Sequence, residues 1–157
     1  MNKITVIHHS ADFDGLFCRE IARKFLPEAE LIGWDFPDAS LDSSLLHSGK
    51  LVILDLPVDR VFGLQFKDGW ICRGAEQVQP IDRWDSSNIT WIDHHKSSID
   101  SHPKDIPGYR IDGVAACRLA WFYFTVLARY IAQTVTADFT WFQGHYPWAS
   151  KQDFIDR

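Results

Sequence analysis

The sequence predicts an α/β fold: a mainly parallel sheet with helices on both faces, in a Rossmann-like three-layer arrangement. Three observations carry this. Short apolar, β-branched runs alternate with a helix-period segment, the pattern that builds parallel sheets. The runs are apolar at consecutive positions, as strands buried on both faces are. Several of them end in polar turns rich in aspartate and histidine. At 157 residues the chain is expected to form one domain.

Lys3–His9 (KITVIHH) reads as the first strand, and His8-His9-Ser10-Ala11-Asp12-Phe13-Asp14-Gly15 as a polar turn. Leu16–Phe25 follows as an amphipathic helix, with Leu16, Cys18, Ile21, Ala22 and Phe25 on one face and Pro27 ending it. Glu30–Trp34 is a second strand, and Asp38–Leu46 a short helix. Leu51–Leu56 is a third strand, apolar until Asp55. Residues 57–88 carry Gly63, Gly69, Gly74 and Pro80 and are expected to hold a helix or hairpin. Asn88–Ile92 is a strand running into Asp93-His94-His95. Lys96–His102 is a loop or short helix, and Tyr109–Ile111 a small strand. Asp112 suits the N-cap of a helix over Val114–Ala128. The segment after Ala132 shows no clear period.

Composition narrows the function classes. Sixteen basic against 21 acidic residues give a formal charge of -5, which disfavours non-specific binding to long duplex DNA. No apolar run reaches the ~18 residues of a spanning helix, so no membrane association is expected. The N-terminus runs straight into a strand without a signal-like apolar region, so a cytoplasmic protein is expected. Cys18, Cys72 and Cys117 form no C-x-x-C pair, which argues against a structural zinc site or a disulfide framework.

The chemistry lies at the strand ends. His8, Asp12 and Asp14 follow the first strand, Asp55 ends the third, and Asp93-His94-His95 follow a later one. In a parallel α/β sheet these ends share one edge, where ligands bind. Converging carboxylates and imidazoles need a cation between them, and divalent metals are the simplest one. A thiolate-free donor set suits Mn²⁺, then Mg²⁺, Co²⁺ or Fe²⁺, whereas zinc more often recruits cysteine. Asp59 rivals Asp55, but Pro57 places it in a loop past the strand end.

These ordered motifs resemble the DHH phosphoesterase family, named for the triplet present here as Asp93-His94-His95. The likeness spans about residues 3–122 and includes the small-residue stretch Asp112–Cys117, where that family places a glycine-rich motif. It implies that residues 1–130 are a catalytic domain holding two Mn²⁺ ions. His8, Asp12 and Asp55 would hold one ion, and Asp14, Asp55 and His94 the other, with Asp55 bridging. His95 would contact the substrate phosphate and Asp93 would orient the histidines. Water activated by the ions would attack phosphorus with no covalent intermediate.

The implied substrates are small phosphorylated molecules: short oligonucleotides, cyclic or linear dinucleotides and nucleoside bisphosphates. The family's further aspartate has Asp138 as its nearest counterpart, in an unlike setting, and the second domain of larger members has no room here. Residues 131–157 are therefore expected to be an irregular tail, in a compact or a truncated member. A non-catalytic metal- or nucleotide-binding remnant is the rival reading.

Other residues keep two readings. Gly113–Cys117 is either a tightly packed helix start or a phosphate-binding one. Arg118 pairs with substrate phosphate or with a surface carboxylate, and Lys96 is similar. Cys18 and Cys117 read as small core residues, and Trp121–Phe124 as packing. His47, His102 and His145 read as surface or internally satisfied residues.

Overall fold

The structure, a computed structural model, describes residues 3–133, with side chains through Val126. The tail beyond residue 133, with Asp138 and His145, lies outside the described residues.

The elements run β1 (Ile4–His9), α1 (Phe13–Phe25), β2 (Glu30–Trp34), β3 (Lys50–Leu54), α2 (Val58–Phe62), β4 (Gln65–Lys67), β5 (Trp70–Arg73), β6 (Glu76–Pro80), β7 (Ile89–Asp93), α3 (Lys96–Ser101), β8 (Gly108–Arg110) and α4 (Ala116–Gln133). Short 3-10 turns cover Ser43–His47 and Ile81–Arg83.

Five strands form a wholly parallel sheet in the order β2-β1-β3-β7-β8. The chain leaves β1 toward β2 but leaves β3 toward β7. The direction of winding therefore reverses between β1 and β3, and the crevice outside their carboxyl ends is where such sheets bind ligands.

Both sheet faces are buried, which explains the unbroken apolar runs. Val6, Val52, Leu54 and Ile92 pack with Cys18 and Ala22 of α1 and with Ala116, Leu119, Ala120 and Phe124 of α4. Ile7, Ile53, Ile89 and Trp91 face the other way. There they meet Val58, Val61 and Phe62 of α2, Ile71 of β5, and Trp34, Trp84 and Ile106. The long helices thus lie on one face, and the opposite cover mixes a short helix, turns and strand residues. The Trp91 indole N–H donates to the Leu56 carbonyl at 2.9 Å, so its burial leaves no orphan donor.

Residues 57–88 hold α2 and then an antiparallel three-stranded sheet, β4-β5-β6. Its first turn is Asp68-Gly69, both with positive φ (51° and 80°), as a two-residue type I′ hairpin requires. The final helix begins at Ala116, two residues after the expected start, and runs to Gln133, past the expected tail boundary. Asp112 is not what caps it: the Asp14 carboxylate accepts from the Ala116 and Cys117 amides at 2.9 and 2.7 Å.

All three cysteines are free, and burial pushes the Cys18 thiol well up and Cys117 up to about 11. Among the described residues, no helix is long and apolar enough to cross a membrane.

Candidate metal centre

The carboxyl ends of β1, β3 and β7 bring Asp12, Asp14, Asp55, Asp93, His9, His94 and His95 to one edge. At the end of β1, α1 starts immediately. Asp12 is its N-cap, accepting from the Gly15 amide at 2.9 Å. Gly15 lies so close to the strand that a Cβ there would stand 2.2 Å from the His9 carbonyl oxygen. Only glycine allows the helix to begin this tightly against β1.

Asp55 is the centre of the cluster. Its backbone is left-handed (φ 61°) although it is not glycine, and its amide donates to the Ile92 carbonyl at 2.9 Å. That conformation is disfavoured by sterics, and such backbone concentrates at functional sites. It turns a carboxylate that is 1% exposed into the space between β1 and β7. Neither carboxylate oxygen has a hydrogen-bond partner. Burial, with the Asp14, Asp12 and Asp93 carboxylates nearby, raises this carboxyl to about 7.

Two donor groups meet at Asp55. One is His9, Asp12 and Asp55; the other is Asp55, His94 and His95; the donor atoms within each lie within 4.8 Å of one another. His9 Nδ1 stands 3.1 Å from Asp12 Oδ2 and 3.7 Å from Asp55 Oδ2, yet makes no hydrogen bond. On the far side of the ring, His9 Nε2 donates to Asp35 Oδ1 at 3.1 Å. With that proton on Nε2, Nδ1 keeps a lone pair facing the carboxylates, which is how an outer carboxylate prepares a histidine for metal. His94 Nε2 stands 3.3 Å from Asp55 Oδ1 and 3.8 Å from Asp14 Oδ2.

The triplet is organised by its aspartate. Asp93 is fully buried, and its Oδ1 accepts from the His94 and His95 amides at 2.8 and 3.3 Å and from His95 Nδ1 at 2.7 Å. That last bond raises the His95 pKa, against the opposing effect of burial. Asp93 Oδ2 remains unpartnered.

Several expected assignments change. His8 belongs to neither donor group. Successive strand residues point to opposite faces, and His8 turns toward Gly33 with its Nδ1 on the His9 carbonyl at 2.9 Å. Its neighbour His9 takes the place beside Asp12 and Asp55. Asp14 is also outside both groups: both its oxygens accept from amides at the start of α4, although Oδ2 stays 3.8 Å from His94 Nε2. Burial works against ionisation of Asp14, but the Cys117 and Ala116 hydrogen bonds outweigh it and hold its pKa below the usual carboxylate range. The amides of Ala116 and Cys117 therefore serve Asp14 rather than an open phosphate site.

His95, expected against substrate, lies within the second donor group. Arg118 lines a cavity of about 330 Å³ with Tyr109, Ile111 and Val114, where β8 meets α4. Lys96 pairs with Asp100 at 3.3 Å on the surface. Asp59 does not compete with Asp55: it pairs with the buried His102, Oδ1 to Nε2, at 3.2 Å. The His102 ring stacks on Trp91 at 4.7 Å.

The donor set fits divalent cations. Five carboxylates (Asp12, Asp14, Asp35, Asp55 and Asp93) surround three imidazoles, and orphaned buried oxygens lie at the middle. A buried oxygen without a partner is strongly unfavourable unless a ligand occupies it. The fold and site together define a class: a parallel α/β domain with a carboxylate–imidazole centre where the direction of winding reverses. Comparison with known proteins goes no further, because no family model, no curated protein and no solved structure matches the chain.

Proposed function

We propose that the protein is a divalent-metal-dependent phosphoesterase of the DHH type, acting on phosphodiester or phosphoanhydride bonds of small nucleotides or short oligonucleotides. One observation carries the reading. Asp55 is buried, has both oxygens free of hydrogen bonds, and is shared by two donor groups. A carboxylate bridging two ions is the centrepiece of sites that clamp both the attacking and leaving oxygens of an in-line displacement at phosphorus.

His9, Asp12 and Asp55 would hold one ion, and Asp55, His94 and His95 the other; Mn²⁺ suits these donors best, with Mg²⁺ or Co²⁺ as substitutes. Such ions supply a water of lowered pKa and charge stabilisation at phosphorus. The chain's own residues position this chemistry. Asp35 orients His9, Asp93 orients His95, and the β1–α1 turn presents Asp12. Free cysteines fit a reducing, cytoplasmic location.

A second reading has its own observation. Asp14 is engaged by the start of α4, which leaves the second group with a single carboxylate. On that reading the protein binds one ion and a nucleotide without turnover.

The test is Mn²⁺-dependent hydrolysis of bis(p-nitrophenyl) phosphate, with bound manganese counted in parallel. Two ions and turnover, both reduced in His94→Ala, support the phosphoesterase. One ion and no turnover in the folded protein support the binding-only reading. Unchanged hydrolysis in Asp55→Ala overturns the site.

A further inference from the structure

Beside the metal centre lies a second feature that its ions would not use. A cavity of about 490 Å³ opens between the end of β2 and α2, within the roughly 300–1,000 Å³ range of small-molecule sites. Its wall includes Trp34, Phe36, Asp38, Ser40, Asp59 and Arg60.

Phe36 joins the two places. Its ring meets the His9 ring edge-on, with centroids 5.6 Å apart, and it also lines the cavity. It rests on Trp34 at 5.7 Å, yet stays 49% exposed. Trp34 itself is buried and anchored, its indole N–H donating to the Ala39 carbonyl at 3.0 Å. A phenyl ring held at an angle against a fixed indole and His9, and half exposed, can serve as a stacking platform. Exposed aromatics of this kind hold nucleobases in a sequence-tolerant way.

The charge of the wall chooses among the parts of a nucleotide. The wall carries two carboxylates, Asp38 and Asp59, the latter also paired with His102, against one arginine, Arg60, so it does not favour a second phosphate. Carboxylates and the Ser40 hydroxyl accept hydrogen bonds from ribose hydroxyls and base amino groups. An uncharged, flat, donor-rich group suits this wall. A phosphate at the metal centre and a nucleoside in the cavity would meet across Phe36.

We infer that this cavity is the nucleoside subsite of the metal centre, with Phe36 stacking on the base. This rests on the phosphoesterase reading for its catalytic meaning, but the cavity can be tested without turnover.

The first measurement follows the Trp34 indole resonance by NMR in metal-free protein, titrated with adenosine and, separately, with ribose. Adenosine is expected to shift it and ribose to leave it unmoved. Phe36→Ala, at a half-exposed position, is expected to lose the shift while the far-ultraviolet circular dichroism stays that of wild type, and Phe36→Trp to keep it. The second is calorimetric binding of AMP and ribose 5-phosphate in Mn²⁺. AMP is expected to bind about tenfold or more tightly, with the preference lost in Phe36→Ala.

A Trp34 resonance unmoved by adenosine, or a Phe36→Ala protein that responds like wild type, overturns the inference. An adenosine shift without Mn²⁺ binding would leave the subsite standing and sink the metal centre. Mn²⁺-dependent hydrolysis with no base preference would do the reverse.

Discussion

Replacing Asp55 by asparagine should make the metal-free protein more stable while removing its affinity for metal. Asparagine keeps the shape, tolerates the left-handed backbone, and carries no charge. In the wild type, burial and the Asp14, Asp12 and Asp93 carboxylates raise the Asp55 pKa from 3.8 to about 7. The folded-state value lies above the unfolded one, so stability is fully present below the unfolded value and is lost as pH rises through the folded one. At ~1.4 kcal/mol for each tenfold change in proton affinity, ionising Asp55 above pH 7 costs about 4 kcal/mol. For a chain of this size that corresponds to on the order of 10 °C in melting temperature.

The assay is thermal or urea unfolding in a chelator, for wild type and Asp55→Asn, from pH 4 to 8.5. The variant should be the more stable at pH 8, and the two curves should converge toward pH 4. Manganese should then invert the order if two ions bind, since each ion at a hundred times its Kd adds about 2.7 kcal/mol to wild type alone, together more than the ionisation cost. A variant no more stable than wild type at pH 8, or an advantage that persists undiminished at pH 4, would refute the reasoning.

Asp35→Asn removes the group that holds the His9 ring and should weaken manganese affinity roughly 10- to 100-fold in calorimetry, with little change in unfolding. Asp14→Ala removes the cap of α4 and should cost about 1–2 kcal/mol in urea unfolding. His102→Ala leaves a void beside Trp91 and an unpaired Asp59, and should cost about 2–4 kcal/mol in the same assay. Burial opposes ionisation of Asp59, but its bonds to His102 and to the Arg60 amide outweigh that and lower its pKa. The folded-state value is depressed, so that contribution is present above the unfolded pKa and fades as pH falls through the folded one. Asp59→Asn should accordingly flatten the acid limb of the stability curve, read by unfolding between pH 5 and 2.

The sheet was legible because a parallel strand buried on both faces needs an unbroken apolar run. Glu30–Trp34 matches its strand to the residue, and β1, β3 and β7 fall within one or two residues of expectation. The same property hid which histidine at the end of β1 meets the carboxylates. With Val6 and Ile7 both buried, no polar alternation says which of His8 and His9 faces the carboxylates. Pairing with β2 and β3 decides it, and that is not local. The β4–β5 hairpin could have been found, because Asp68-Gly69 between Phe66-Lys67 and Trp70-Ile71 is a strong two-residue turn signal. Asp14 stands among the ligands that the family resemblance implies, and its hydrogen bonds to the start of α4 are a long-range contact. Its partner is a helix start 102 residues away, and nothing near Asp14 in the chain announces it.

That distance has a consequence for the order of folding. The bond from Asp14 to Ala116 ties α1 to α4, with four of the five strands of the parallel sheet between them in the chain. Such a contact forms only after the long loops between strands have closed, which is slow and entropically late. Early, partly folded chains therefore lack a finished centre, and metal cannot template the fold from its N-terminal motif. Once the last helix docks, its amides fix the turn that carries Asp12. If the proposed centre binds metal, its affinity then reports on the closure of the domain, and any opening of α4 from the sheet should release the ions first.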